Sequence, residues 1–195
     1  MLGQGGDDTL HAGGYGPDVV RGGPGNDLVF GNVGFDDING NEGNDTLHGG
    51  DSDDWVVGGK DNDLLGGDDG DDIVYGNLGA DTCEGGQGAD IVRGGQGEDS
   101  LTGGAGEDWL SGDRGDDTVF GGLGADIFHS SPDAAIDRVT DFNRAEGDQV
   151  LLDPGTNYSV IQMGADTVIN MDGGAQLVLV GVQMSLLTGD WISGA

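Results

Sequence analysis

The amino-acid sequence predicts an all-β fold: a chain wound into about seven stacked two-strand coils, followed by an antiparallel β cap. Three observations predict it. An Asp returns every nine residues from Asp27 to Asp126, with a Gly five residues before each and an apolar side chain two residues after. The residues between Gly and Asp are rich in Gly, Asn and Asp. Beyond His129 the beat stops, and short stretches of alternating polarity replace it.

The beat has fourteen members: Asp8, Asp18, Asp27, Asp36, Asp45, Asp54, Asp63, Asp72, Asp81, Asp90, Asp99, Asp108, Asp117 and Asp126. Asp8 and Asp18 stand ten apart, which implies one extra residue, most simply Ala12. Each frame divides into a turn half and a strand half. In the turn half the second position is Gly, Asn or Asp in every frame but the first, which has Gln4. These are the residue types that most readily accept a left-handed backbone. The fourth position is Gly except at Ser52 and Asp61. The strand half is three residues long and often β-branched or aromatic.

A three-residue strand cannot bury itself, so stacking is required. Turn, strand, turn, strand makes a coil of eighteen residues with two facing sheets. The middle strand residue points inward and its neighbours outward. The expected core is then Leu10, Val20, Val29, Ile38, Leu47, Val56, Leu65, Val74, Cys83, Val92, Leu101, Leu110, Val119 and Phe128. Seven coils at ~4.8 Å per stacked strand would extend roughly 34 Å. Cys83 is expected to be a small buried hydrophobe, and as the lone cysteine it forms no internal disulfide. Trp55 and Trp109, one residue before the inward position, should face outward. His11, His48 and His129 read as surface residues at unrelated heights.

Composition narrows the function. The chain carries 37 acids against 6 bases, a net charge of −31, and only 34% of its residues are hydrophobic. Such a polyanion repels nucleic acid and anionic membranes and attracts cations. No apolar run approaches the ~18 residues of a membrane span. One apolar side chain per nine residues is a thin core for so much Gly-rich backbone to be ordered. Folding should therefore depend on something that neutralises the carboxylates. Carboxylates and turn carbonyls are hard oxygen donors, with no His or Cys cluster, which favours Ca²⁺ or Mg²⁺. Flexible, carbonyl-rich turns favour Ca²⁺. The intervening acids Asp7, Asp53, Asp71, Glu98, Glu107 and Asp116 read as solvated charge.

Over residues 3–129 the nonapeptide G-G-x-G-x-D-x-U-x resembles the RTX, or hemolysin-type, calcium-binding repeat. The resemblance implies a right-handed parallel β-roll. Each Ca²⁺ would lie between the turns of alternate frames, so that Asp27 shares an ion with Asp45 and Asp36 with Asp54. Two stacks of seven turns have six gaps each, so up to about twelve ions are implied, of the weak extracellular class with Kd about 10⁻⁴–10⁻³ M. The frames at Ser52, Asp61 and Ala12 depart most from the family pattern.

Residues 130–195 contain Ile136–Phe142, Gln149–Leu152, Ser159–Gln162, Thr167–Asn170 and Gln176–Val180, which read as antiparallel strands and hairpins capping the open roll end. The run Asp137-Arg138-Val139-Thr140-Asp141-Phe142, with Gly147-Asp148-Gln149-Val150, resembles the segment that follows RTX repeats in secreted proteases. That resemblance implies an uncleaved type I secretion signal, with Gln183–Ala195 as the candidate, and the type I apparatus as a partner. Met1-Leu2 runs straight into repeat, so an N-terminal signal peptide is not expected. An upstream portion remains an alternative.

The expected function is a non-enzymatic calcium-binding module that folds after secretion, located outside the cell. Neither H-E-x-x-H nor G-x-S-x-G occurs. Two alternatives are the secretion or folding part of a larger secreted enzyme or toxin, and a calcium-dependent surface or adhesive protein.

Overall fold

The computed structural model describes residues 1–194. Fourteen strands fall on the fourteen repeats: β1 (Thr9–His11), β2 (Asp18–Pro24), β3 (Leu28–Val33), β4 (Asp36–Glu42), β5 (Thr46–Asp51), β6 (Trp55–Lys60), β7 (Leu64–Asp69), β8 (Ile73–Leu78), β9 (Thr82–Gln87), β10 (Ile91–Gln96), β11 (Ser100–Ala105), β12 (Trp109–Arg114), β13 (Thr118–Leu123) and β14 (Ile127–Ser130). Most are six residues rather than three. Pairing continues through the first turn residues, as in Gly104 with Gly122 and Ala105 with Leu123. The bend at each second turn position therefore leaves the hydrogen bonds between coils intact.

Each strand pairs in parallel with the strand two places on. Odd strands build one sheet and even strands the other. The register is eighteen residues, as in Leu47 with Leu65 and Val74 with Val92. All fourteen expected inward residues are buried between the sheets, none more than 8% exposed. All second turn positions have positive φ, including Gln4 at 86°. Ser52 (90°) and Asp61 (73°) adopt the positive φ of the glycines they replace, so the turn path is the same there.

The extra residue is not Ala12. Leu10 pairs with Val29, nineteen residues on, and Ala12 donates its N–H to the Phe30 carbonyl from a fully buried position. Ala12 thus occupies the place that Gly holds in the other frames. Gly34 packs over Gly16, eighteen residues earlier, so the surplus lies in Gly13–Tyr15, within the turn. A turn absorbs an added residue without moving a core side chain to the wrong face.

The stacks run past His129. Six more strands follow: β15 (Ile136–Val139), β16 (Gln149–Leu152), β17 (Tyr158–Met163), β18 (Asp166–Met171), β19 (Gln176–Leu179) and β20 (Ile192–Ser193). β15 joins β13 and β16 joins β14 in parallel; β19 and β20 then add in parallel to β15 and β16. Antiparallel pairing is confined to β17 with β18 and β18 with β19. The antiparallel expectation thus fails for Ile136–Phe142 and Gln149–Leu152. Asp137-Arg138-Val139 and Asp148-Gln149-Val150 repeat the Asp-x-apolar strand half of the nonapeptide, so they take the same register against β13 and β14. Ala195, the last residue of the candidate secretion segment, lies outside the described residues. Among the described residues no helix is long and apolar enough to cross a membrane.

Candidate metal centre

Every periodic Asp sits at the end of a turn, where its chain enters a strand, and the stacking aligns these residues into two columns. One column runs through Asp8, Asp27, Asp45, Asp63, Asp81, Asp99 and Asp117. The other runs through Asp18, Asp36, Asp54, Asp72, Asp90, Asp108 and Asp126. Asp8 and Asp18, in the first coil, are half-buried; the other twelve are buried.

Within a column the carboxylates are linked through the backbone. Oδ1 of each Asp accepts the N–H of the Asp one coil earlier: Asp63 from Asp45 at 2.8 Å, Asp81 from Asp63 at 2.8 Å, Asp99 from Asp81 at 2.8 Å. The second oxygen has no such partner. Oδ2 of Asp8, Asp27, Asp36, Asp45, Asp54, Asp63, Asp72, Asp81, Asp90, Asp99, Asp108 and Asp117 is buried and meets no donor. An ionised oxygen left so is costly unless a cation or proton answers it.

The space around that oxygen explains the Gly five residues earlier. A methyl group on Gly40 would strike the Asp45 carboxylate, and one on Gly67 would meet both Asp72 Oδ2 and the carbonyl oxygen of Gly85 in the next coil. Carboxylate and carbonyl oxygens thus converge on a cradle that only Gly leaves open. Turn carbonyls also point along the stack, since a methyl on Gly50 or Gly43 would strike the carbonyl of Asn32 or Gly25 one coil earlier. The donor set between successive turns is hard oxygen, as Ca²⁺ prefers. Among the described residues no group of three or more His, Cys, Asp or Glu side chains converges on a point. The columns carry one carboxylate per turn, so carbonyls must supply much of any coordination.

The electrostatics match. Burial pushes the Asp54 and Asp63 carboxyls up to about 7, against the N–H donated by the preceding Asp, and neighbouring column carboxylates push further. Asp99 is likewise raised to about 7, and Asp45, Asp72, Asp90, Asp108 and Asp126 to about 6, with burial the leading cause. A stack that buries its charges this way favours either protons or cations.

Two column members lie off the nine-residue beat. Asp137 and Asp148 are buried, and their Oδ1 atoms accept the N–H of Asp117 (3.4 Å) and Asp126 (3.1 Å). Their second oxygens are answered by protein: Ser130 Oγ donates to Asp137 at 3.1 Å and the Asn143 N–H to Asp148 at 2.7 Å. Nearby, the Asp141 carboxylate accepts the N–H groups of Gly121 and Gly122. The Asp-x-apolar triplet was the signal for both residues, at spacings of 20 and 22 rather than 18.

The intervening residues are not merely solvated. Asp53 Oδ1 accepts the Asp71 N–H, Asp71 that of Ala89 and Asp116 that of Ile136, and Asn26, Asn44 and Asn62 do the same. They form an outer ladder running opposite to the inner one. Glu98 and Glu107 are exposed. His11 and His48 are not at unrelated heights: they sandwich Phe30 on one sheet, with ring centroids 4.8 and 5.3 Å apart. His129 stacks on Trp109 of the neighbouring strand in the even-numbered sheet. Cys83 is fully buried, and burial pushes its thiol up, away from reactivity.

No curated protein sequence matches. Among solved structures, the extracellular lipase LipA from Serratia marcescens aligns at 19% identity and TM-score 0.41, over 89% of this chain. The chain spans 45% of that lipase's length. The AlgE6R3 subunit of the Azotobacter vinelandii mannuronan C5-epimerase aligns at 22% identity and TM-score 0.26, over 74% of this chain and 80% of its own. The RTX calcium-binding nonapeptide repeat matches in four copies, at residues 2–38, 30–65, 65–92 and 93–128. With its paired carboxylate columns and Gly cradles, the chain belongs to the RTX calcium-binding nonapeptide repeat family.

Proposed function

We propose that the protein is a non-enzymatic calcium module whose fourteen periodic Asp, from Asp8 to Asp126, hold Ca²⁺ between stacked turns, and whose folding waits for the ion. The observation that carries this reading is the row of twelve buried Oδ2 atoms without a donor. They divide seven and five between the columns, close to the six gaps per column that the repeat geometry suggests, so about a dozen ions is the expected load. Bound Ca²⁺ supplies the positive charge that lets these carboxylates stay ionised inside the roll. The turns at Ser52 and Asp61 keep the common backbone path, which supports binding there too.

A chain of net charge −31 with so thin a core is expected to remain open at low calcium and to close at extracellular calcium. That behaviour suits export as an unfolded chain through a type I apparatus followed by folding outside the cell, with residues 130–195 serving as cap and carrying the export signal. Circular dichroism with and without EGTA tests the proposal. A β signal that grows on adding Ca²⁺ and falls with chelator to what the C-terminal strands alone supply supports it; a β spectrum unchanged by EGTA overturns it.

A further inference from the structure

We infer that the calcium-loaded protein pairs with a second copy of itself through the outward face of the even-numbered sheet. The two sheets differ on their outer sides. On the even sheet, the residues one place before the core form a continuous apolar row, in register: Trp55, Ile73, Ile91, Trp109. Trp55 is 44% and Ile91 37% exposed. The corresponding row on the odd sheet reads Thr46, Leu64, Thr82, Ser100, Thr118.

On the even sheet the four residues from Trp55 to Trp109 read the same in both directions, while Asp37 precedes them and Ile127 follows, so the two-fold match is confined to the centre of the row. An isologous two-fold contact needs such self-complementarity. A two-fold axis lying between the faces, parallel to the strands and passing between β8 and β10, reverses the stacking order. It sets Trp55 over Trp109 of the second copy and Ile73 over its Ile91. In the neighbouring row it sets Tyr75 over the second copy's Arg93, a pair already in contact within one chain, with the guanidinium 5.6 Å from the ring centre. A shallow depression of about 380 Å³ between Tyr75, Ile91, Arg93 and Trp109 lies where this arrangement brings the second copy's Ile73 and Tyr75.

Charge and size agree. All four bases of residues 1–129 lie on this sheet, and three are matched by its own acids: Arg21 with Asp37, Lys60 with Glu42 and Arg93 with Asp113, at 2.7, 2.5 and 2.6 Å. In a chain of net charge −31 this is the face that a like-charged copy approaches with least repulsion. The midpoint between β8 and β10 is also the midpoint of the eight strands from β2 to β16. Their outer face, at ~4.8 Å per strand, amounts to roughly 800 Å² per copy, the size of an ordinary specific interface.

The inference uses the calcium-loaded fold, so circular dichroism in Ca²⁺ first establishes that each variant is folded; failure there concerns the calcium reading and not the pairing. Sedimentation velocity over a range of concentrations in Ca²⁺ then reads the pairing. The wild type is expected to show a concentration-dependent dimer. Ile91→Glu, which places carboxylates beside the axis, and Trp55→Ala are each expected to raise the dissociation constant about tenfold or more. Leu64→Glu, on the outer face of the odd sheet, leaves it unchanged. A monomer at every concentration overturns the inference. A dimer that survives Ile91→Glu, or that Leu64→Glu breaks equally, also overturns it.

Discussion

Residues 1–129 and residues 130–194 stack their strands in the same two sheets, yet they answer the same electrostatic problem differently. In the repeats, the second oxygen of nearly every column Asp faces no donor. In the C-terminal coils, Ser130 and Asn143 donate to Asp137 and Asp148. The cores differ as well. The first 129 residues contain fifteen buried apolar residues and the next 65 contain thirteen, including Phe142 and Trp191, which pack edge to face beside Phe128. On the proposed reading, one geometry is held by ions where side chains are scarce, and by hydrogen bonds and packing where they are not. The off-beat segment gives up the repeat's regularity and, on the same reading, should not depend on the cation.

The comparison can be broken by substitution. Asp81→Ala removes both the proposed ligand oxygen and the acceptor of the buried Asp63 N–H. It is expected to cost about 3–5 kcal/mol in Ca²⁺, read as a shifted calcium midpoint in a circular dichroism titration, and to cost nothing in chelator, where the roll is already open. Gly40→Ala fills the cradle beside Asp45 and should cost about 1–3 kcal/mol through crowding, with the same dependence on Ca²⁺. Ser130→Ala leaves Asp137 without its donor and should cost about 1–3 kcal/mol; thermal unfolding of the C-terminal coils should register it with or without the ion. Asp116→Ala, which loses one exposed bond to the Ile136 N–H, should cost about 1 kcal/mol or less. Equal effects of Asp81→Ala and Asp116→Ala would contradict the assignment of the column.

Acid sharpens the contrast. In chelator, carboxyls raised from 3.8 to about 6 or 7 bind protons more tightly in the closed roll than in the open chain. Their stabilisation is full below about pH 4 and lost as pH rises through 6 to 7. Chelated protein should therefore regain part of its β signal between pH 7 and 4. In limiting Ca²⁺ the sign reverses, because protons compete for the ligands. A chelated chain indifferent to pH would contradict the burial of these charges.

Much of this was legible in the sequence, because stacking converts a spacing into a position. Nine residues fix the strand, eighteen fix the neighbour, and Leu47, Val56 and Leu65 then have only one place to go. Columns of Asp follow from the same arithmetic. What the spacing could not express was anything that leaves it. Ala12 was misplaced because a turn tolerates an added residue at several points and only the buried pairing with the third repeat tells them apart. Asp137 and Asp148 were hidden by two successive turns, each two residues longer than the beat. The outer ladder of Asp53, Asp71 and Asp116 was hidden because hydrogen-bond direction is a property of the turn's shape and not of its composition. The sandwich of His11, Phe30 and His48 needed the nineteen-residue offset of the first coil.

Hydrogen exchange resolved along the chain, before and after EGTA, tests the central claim most directly. Amides of β3 to β12, such as Leu47, Val74 and Val92, should lose protection on chelation, while those of Val150, Ile169 and Leu177 in the C-terminal coils remain protected. Protection that persists in the repeats without Ca²⁺, or that vanishes from both regions together, would contradict a roll held by ions beside a cap held by its own side chains.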